Sequence, residues 1–421
     1  MAVTVLKGNI VSAPEAGKLE ITERGYLVLE DGIIVGIYDR LPEEYAHAPL
    51  EDHGDCLILQ SFADMHFHAP QYAMQGMGFD LPLLEWLEKY AFPTEARYAD
   101  TEFAREMYSR LAQEMIRSGT TRMCVFSTLH RPATLVLMEE LEKAGIVAYV
   151  GKVNMDRNSP DILRETTEGA KSETLRWLDE CSRFHHVKPM ITPRFTPSCT
   201  DELMTFLGRL VQERNLPVQS HLSENQAEMA WVRALHPDCQ QYWETYAKFG
   251  LWTDRTLMAH CVWCDERERE AIRRAGVTVV HCGASNNNIL SGTAPIRQML
   301  AEGTKVALGN DVGAGDSLQG FDLVADSVRA SKTRHIEDGW TTPFLTVAEA
   351  WYLGTTAGAE FFGAGRGFSV GDALHAIVLD DSQLPAPRML TVQERFERSV
   401  YRRQPQAIRA VWSEGRKVFE K

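Results

Sequence analysis

An apolar run from Leu57 to His68 ends in His66-Phe67-His68, and the two-residue period of a strand puts both imidazoles on one face. Groups of the same chemical kind end three later runs: His221 in LPVQSHLSE, His260 in TLMAHCVW and Asp311 in KVALGNDVG. Imidazole and carboxylate suit a borderline divalent ion such as Zn²⁺, and three His with one Asp leave room for a water. That water is the expected nucleophile. A lone strand-end histidine is more often a hydrogen-bonded core residue, but four imidazoles and one carboxylate ending four runs point to one shared ion. Glu224 follows His221 by three residues in HLSEN, where a carboxylate can face such a water and move a proton onto a ring nitrogen of a substrate. On its own it could equally be a helix N-terminal acid favoured by the dipole.

The elements that must carry these groups repeat. Eight apolar or alternating runs end in small, polar or metal-type residues: Leu57 to His68, Thr120 to Thr128, Ile146 to Asp156, Val187 to Phe195, Leu216 to Glu224, Thr256 to Trp263, Val277 to Ser285 and Lys305 to Gly313. Helical patterns separate most of them. Phe103, Met107, Leu111 and Met115 share one face, and Leu203, Phe206, Leu207, Leu210 and Val211 another. The alternation predicts an α/β fold, a (β/α)₈ TIM barrel over residues 57–367, with its active site at the C-terminal ends of the strands. Residues 1–56 and 368–421 instead carry short alternating runs such as GYLVLEDGIIVGIY and HAIVLDD, which predict a small β-sandwich built from both termini.

Composition narrows the partners. The 421 residues are 44% hydrophobic and 24% charged, as in a globular enzyme, and the net charge of -14 disfavours nucleic acid and anionic membranes. No run approaches the roughly 18 apolar residues that span a bilayer, and the first residues lack the pattern of a secretion signal. Eight cysteines lying mostly in apolar runs read as buried thiols, which favours a cytoplasmic location. Cys261 and Cys264 have zinc-finger spacing but no second pair, and His335-Ile336-Glu337 lacks the Cys-x-x-Cys partner of the unrelated zinc deaminase fold.

Several segments resemble, in order, those of the amidohydrolase superfamily and, within it, the guanine deaminase family: HFHAPQY, DLPLLEWLEKYAFPTE, GKVNMDRN, ITPRF, QSHLSEN, MAHCV and GNDVGAG. The resemblance covers nearly the whole chain. It implies one Zn²⁺ per subunit, with Fe²⁺ as the lesser alternative, held by His66, His68, His221 and Asp311. Catalytic roles fall to Glu224 as proton shuttle, to His260 beside the metal and its water, and to Asp311. Gln71, Arg194 and Phe195 match positions that hold guanine, and Trp86 lies in a segment that helps cover it. The implied reaction is hydrolysis of guanine to xanthine and ammonia by a homodimer whose partner molecule is a small purine. Chemistry agrees: an Arg fork can bond O6, a Gln amide can donate and accept, and aromatic faces can stack.

Four positions depart from the usual pattern. Gln60-Ser61 replaces Pro-Gly, the strand-7 end reads His281-Cys282-Gly283 rather than an HCP type, Asn310 stands where Thr or Ser is common, and His375 where Asp is frequent. These changes leave open a different ring on the same machinery: another aminopurine, an oxidised guanine or a pterin. A two-metal cyclic-amide hydrolase would need a bridging lysine at the end of the fourth run, which here ends in Arg194-Phe195 with Lys188 at its start. A non-catalytic scaffold would be expected to lose ligands, and none is lost.

Overall fold

The computed structural model describes residues 2–403 and 407–421. Four strands come first: β1 (Val3–Glu15), β2 (Lys18–Glu30), β3 (Ile33–Tyr38) and β4 (Leu50–Gln60). Ten short ones follow: β5 (Phe62–His68), β6 (Thr120–Phe126), β7 (Val147–Gly151), β8 (Val153–Asn154), β9 (Val187–Pro189), β10 (Thr192–Pro193), β11 (Val218–Leu222), β12 (Thr256–His260), β13 (Thr278–His281) and β14 (Lys305–Leu308). The chain ends with β15 (Ala376–Leu379), β16 (Ile408–Ser413) and β17 (Arg416–Glu420).

The middle strands form two four-stranded parallel sheets, β5-β6-β7-β9 and β11-β12-β13-β14, and a parallel pair, β10-β8. An isolated parallel bridge joins Ile191 to Val218. On the other side, the Asp311 amide donates to the His66 carbonyl at 2.9 Å and the His68 amide to the Val312 carbonyl at 3.0 Å. Burial on both faces explains why these strands are apolar throughout rather than alternating.

Helices fill the gaps between strands. In Thr101–Arg117 the Asp100 carboxylate accepts from the Glu102 and Phe103 amides and starts the helix, while Ala104, Tyr108, Leu111 and Met115 face inward. Phe103 and Met107 pack half-buried against the same core. In Asp201–Arg214, Thr200 caps the start, and Asn215 ends the helix in the left-handed region at φ 49°.

The terminal strands make one seven-stranded sheet in the order β17-β16-β15-β4-β1-β2-β3. One of its faces buries Leu6, Ile10, Leu27, Leu29, Ile58, Val378 and Trp412 in a core of its own.

Three of the expected runs are interrupted. Leu57 to His68 is two strands: Leu57–Gln60 ends β4 in the terminal sheet, and β5 begins at Phe62. Between them the Ser61 amide donates to the His375 carbonyl and the Phe62 amide to the Gly119 carbonyl, so the chain changes sheets at Ser61. Both halves are apolar because both are buried, which is why the junction is invisible to a hydrophobicity pattern. The third run divides at Lys152 into β7 and β8, and the fourth at Met190–Ile191 into β9 and β10.

Candidate active site

The C-terminal ends of β5, β11 and β12 and the turn after β14 bring His66, His68, His221, His260 and Asp311 together, all buried. His66 Nε2 lies 3.2 Å and His68 Nε2 3.5 Å from Asp311 Oδ1, and His68 Nε2 lies 3.1 Å from His221 Nε2. His260 Nε2 is 3.4 Å from a Glu224 oxygen and 3.9 Å from Asp311 Oδ2. His260 and Asp311 have φ of 73° and 54°, a backbone region disfavoured for side chains larger than glycine. Such local strain persists where surrounding structure enforces it, and here it turns two strand ends toward a common point.

These donors fit a divalent cation. The His221 Nδ1 donates to the Arg194 carbonyl at 2.6 Å, so its Nε2 carries a lone pair, and that lone pair faces another imidazole nitrogen. His66 Nε2 is buried with no hydrogen-bond partner. Burial, and then the neighbouring imidazoles, push His68 and His221 well below the usual histidine range, which keeps them in the neutral form that ligates. Burial alone would raise Asp311, but His66, His260 and His68 outweigh it and hold the carboxyl well below its ordinary range. Cys282 Sγ also lies near His66, His260 and Asp311, yet burial raises that thiol strongly and it points to the Val280 carbonyl. A protonated thiol is a poor ligand.

Around this cluster sits a second layer of hydrogen bonds. The short helix Gly283–Asn288 supplies Ser285, whose hydroxyl donates to Asp311 Oδ2, and Asn286, whose Oδ1 is 2.9 Å from His260 Nδ1. Asn310 grips Asp64 twice, from its amide at 3.0 Å and from Nδ2 at 2.9 Å. Glu224 is buried and accepts from the Ser291 hydroxyl at 3.0 Å. Burial pushes its carboxyl up to about 7, against the opposing pull of His260. For His260 the order reverses: burial lowers it, but Glu224 and Asp311 together leave it raised.

A narrow cavity opens onto the cluster, with His68, His221, Glu224, His260 and Asp311 in its lining. Gln71, Trp86, Arg194 and Phe195 line the same cavity. Their hydrogen bonds are partly committed. Gln71 Oε1 accepts from the Gly313 amide at 2.9 Å, and its Nε2 donates to Glu95 Oε1 at 2.7 Å. Arg194 donates to Glu95 Oε2 at 2.6 Å. Each therefore offers a ligand fewer bonds than its side-chain type suggests. The Trp86 indole nitrogen donates to the Met77 carbonyl, leaving its apolar rings for the cavity.

Sequence reasoning missed Glu95, Ser285, Asn286, Ser291 and Asp64. Glu95 lay inside the quoted FPTE segment, and the Ser285 and Asn286 positions lay just beyond the altered strand-7 end. Their partners are distant in sequence, so no local spacing marks them.

Comparison with known proteins follows the same lines. The profile of the amidohydrolase family matches residues 57–416. Guanine deaminase of Dictyostelium discoideum is 35% identical, over 99% of this chain and 98% of that protein, and guanine deaminase of Mus musculus is 34% identical, over 91% and 84%. A crystal structure of guanine deaminase from C. acetobutylicum with bound guanine in the active site superposes with a TM-score of 0.96 at 40% identity, covering 99% of this chain and 100% of that one. These matches show an α/β chain with the amidohydrolase fold: the chain belongs to the amidohydrolase family, and among its members it resembles the guanine deaminases.

Proposed function

We propose that this chain hydrolyses guanine to xanthine and ammonia with one zinc ion bound by His66, His68, His221 and Asp311. The observation that carries this reading is the cavity itself, which sets the imidazoles of His68, His221 and His260 and the Asp311 carboxylate against an Arg, a Gln amide and two aromatic side chains. Similarity to guanine deaminases over nearly the whole chain supports the choice of ring.

When bound, zinc would supply Lewis acidity and lower the pKa of a coordinated water toward neutrality. Asp311 is ionised and can take a proton from the attacking water, while Ser285 holds its second oxygen. Glu224, poised near neutrality, can hold a proton and deliver it to N3 of the purine as the new C–O bond forms at C2. A proton returned to the amino nitrogen lets ammonia leave. His260, fixed through Nδ1 by Asn286, points Nε2 into the same space and can hydrogen-bond the attacking oxygen.

Arg194 is assigned to the O6 edge, Gln71 to a polar edge, and Phe195 and Trp86 to the ring faces and cover. The frame we read is a closed (β/α)₈ barrel that begins at Phe62 rather than Leu57 and runs to about residue 367, supported by the backbone bonds that join Asp311 and Val312 to β5. Residues 1–60 rather than 1–56, together with 368–421, form a β-sandwich in this reading. The Ile33–Ala373 bridge supports it, because it brings the β3 edge of the terminal sheet onto the approach to β15. A cytoplasmic homodimer completes the proposal. No helix among the described residues is long and apolar enough to cross a membrane.

The test is ammonia release by the zinc-loaded protein from a panel of guanine, other aminopurines, oxidised guanines and pterins. Guanine should be turned over fastest, and a chelator should abolish turnover until zinc is returned. Much faster release from a pterin or an oxidised guanine would overturn the assignment.

A further inference from the structure

Glu95 has no part in the reaction described above, yet it is 1% exposed and holds two residues of the cavity wall at once. It lies on the short helix Phe92–Ala96, where one oxygen accepts from Gln71 and the other from Arg194. Two consequences follow from this geometry. Gln71 is locked in orientation, since its nitrogen must face Glu95 and its oxygen the Gly313 amide. The Arg194 charge is answered inside the protein at 2.6 Å, before any ligand arrives.

We propose that Glu95 is a positioning and charge-balancing residue that makes this pocket select a neutral carbonyl-bearing base over an anionic one. The proposal rests on the guanine reading. Its consequence there is specific: the product, xanthine, is a stronger acid than guanine and is the first of the two to become an anion as pH rises. A buried guanidinium with no counter-charge would favour that anion and retain product. Paired with Glu95, the same guanidinium offers its remaining N–H groups to O6 without a net charge. Other ionisable groups surround the pair: His66 and His68 sense Arg194, and Tyr98 and Tyr108, whose phenols are raised first by burial, sense Glu95.

Equilibrium binding to the zinc-loaded protein tests this, with xanthine and hypoxanthine as probes in mildly alkaline solution, where xanthine is largely ionised and hypoxanthine is not. Glu95→Gln should shift the affinity ratio toward xanthine by about tenfold, the low end of what a nearby charge does. Glu95→Asp, which keeps the charge, should restore the wild-type ratio even if both affinities fall. Should Glu95→Gln fail to fold, Arg194→Met supplies the reciprocal measurement, because the unanswered Glu95 should then disfavour xanthine more than hypoxanthine. Equal changes for both probes, or Glu95→Asp behaving like Glu95→Gln, would overturn the proposal. No turnover is needed, so wild-type failure to deaminate guanine would sink the proposed reaction while leaving this result readable.

Discussion

The two ends of β5 carry opposite kinds of buried polar chemistry. At its start every group is answered: Ser61 Oγ meets Thr121 Oγ1 at 2.6 Å, Thr121 Oγ1 meets His375 Nδ1 at 2.8 Å, and His375 Nε2 meets Glu414 Oε1 at 2.9 Å. Gln60 joins in by donating to Thr356 and accepting from the Ala13 amide, both at 2.8 Å. At its end, His66 Nε2 makes no hydrogen bond although it lies 3.2 Å from Asp311 Oδ1, two imidazole nitrogens confront each other, and burial pushes the Glu224 carboxyl up to about 7. Satisfied buried networks hold a structure together, whereas unsatisfied ones are costly unless a ligand completes them. One end of the strand is built for stability, and the other is left with donors that a ligand could complete, the division expected of the proposed barrel.

The largest effect that should separate the two ends is at Glu224. Glu224→Gln keeps the size of the side chain and can still bond Ser291, but cannot exchange a proton. Turnover should fall by at least ~100-fold with zinc content unchanged by metal analysis. Parallel loss of zinc would assign Glu224 to structure and erase the contrast.

A smaller effect belongs to Arg194. On the proposed assignment of Arg194 to O6, Arg194→Met removes a charged hydrogen bond and should cost about 2 to 4 kcal/mol in kcat/KM for guanine. 2-Aminopurine, which keeps the C2 amino group but lacks O6, should lose less. Part of the cost will come from Glu95 and Gln71, whose bonds to Arg194 and to each other are broken or loosened. Equal losses for the two bases would place Arg194 away from O6.

How much of this was legible in the sequence depended on whether a signal was local. His66 and His68 stand two apart and Glu224 follows His221 by three, so strand period and spacing marked them; in the structure His68, His221 and Glu224 line one cavity, and His66 clusters with His68 and His221 behind its wall. Arg194, Phe195, Gln71 and Trp86 were marked by resemblance, not by pattern, and they also reach that cavity. Glu95 and Asn286 act across long sequence separations and left no periodic trace. The departures at Gln60-Ser61 and His375 looked like independent anomalies in the sequence. In the structure they meet: the Ser61 hydroxyl and His375 Nδ1 share Thr121 Oγ1, and the Ser61 amide bonds the His375 carbonyl. Asn310 is likewise explained by its double grip on Asp64.

The smallest effect on activity, and the clearest on stability, should come from His375. Burial first, and the nearby Arg122 charge second, lower its imidazole to about 4, against the raising pull of Glu414. Between that value and the ordinary value of 6.5 the unfolded chain binds a proton that the folded chain refuses. Stability contributed by the neutral ring is therefore complete above pH 6.5 and is lost as pH falls toward 4, by roughly 3 kcal/mol at most. Glu224 and Asp64, both raised to about 7 by burial, bind protons more readily when folded and oppose this trend. The contribution of His375 is thus isolated by difference. His375→Gln should be less stable than wild type at neutral pH because the Thr121 and Glu414 bonds are imperfectly replaced, but the gap should narrow as the solution is acidified. Denaturant midpoints measured across that range check the sign, and kcat at neutral pH should stay within about twofold if the start of β5 serves only to hold the fold.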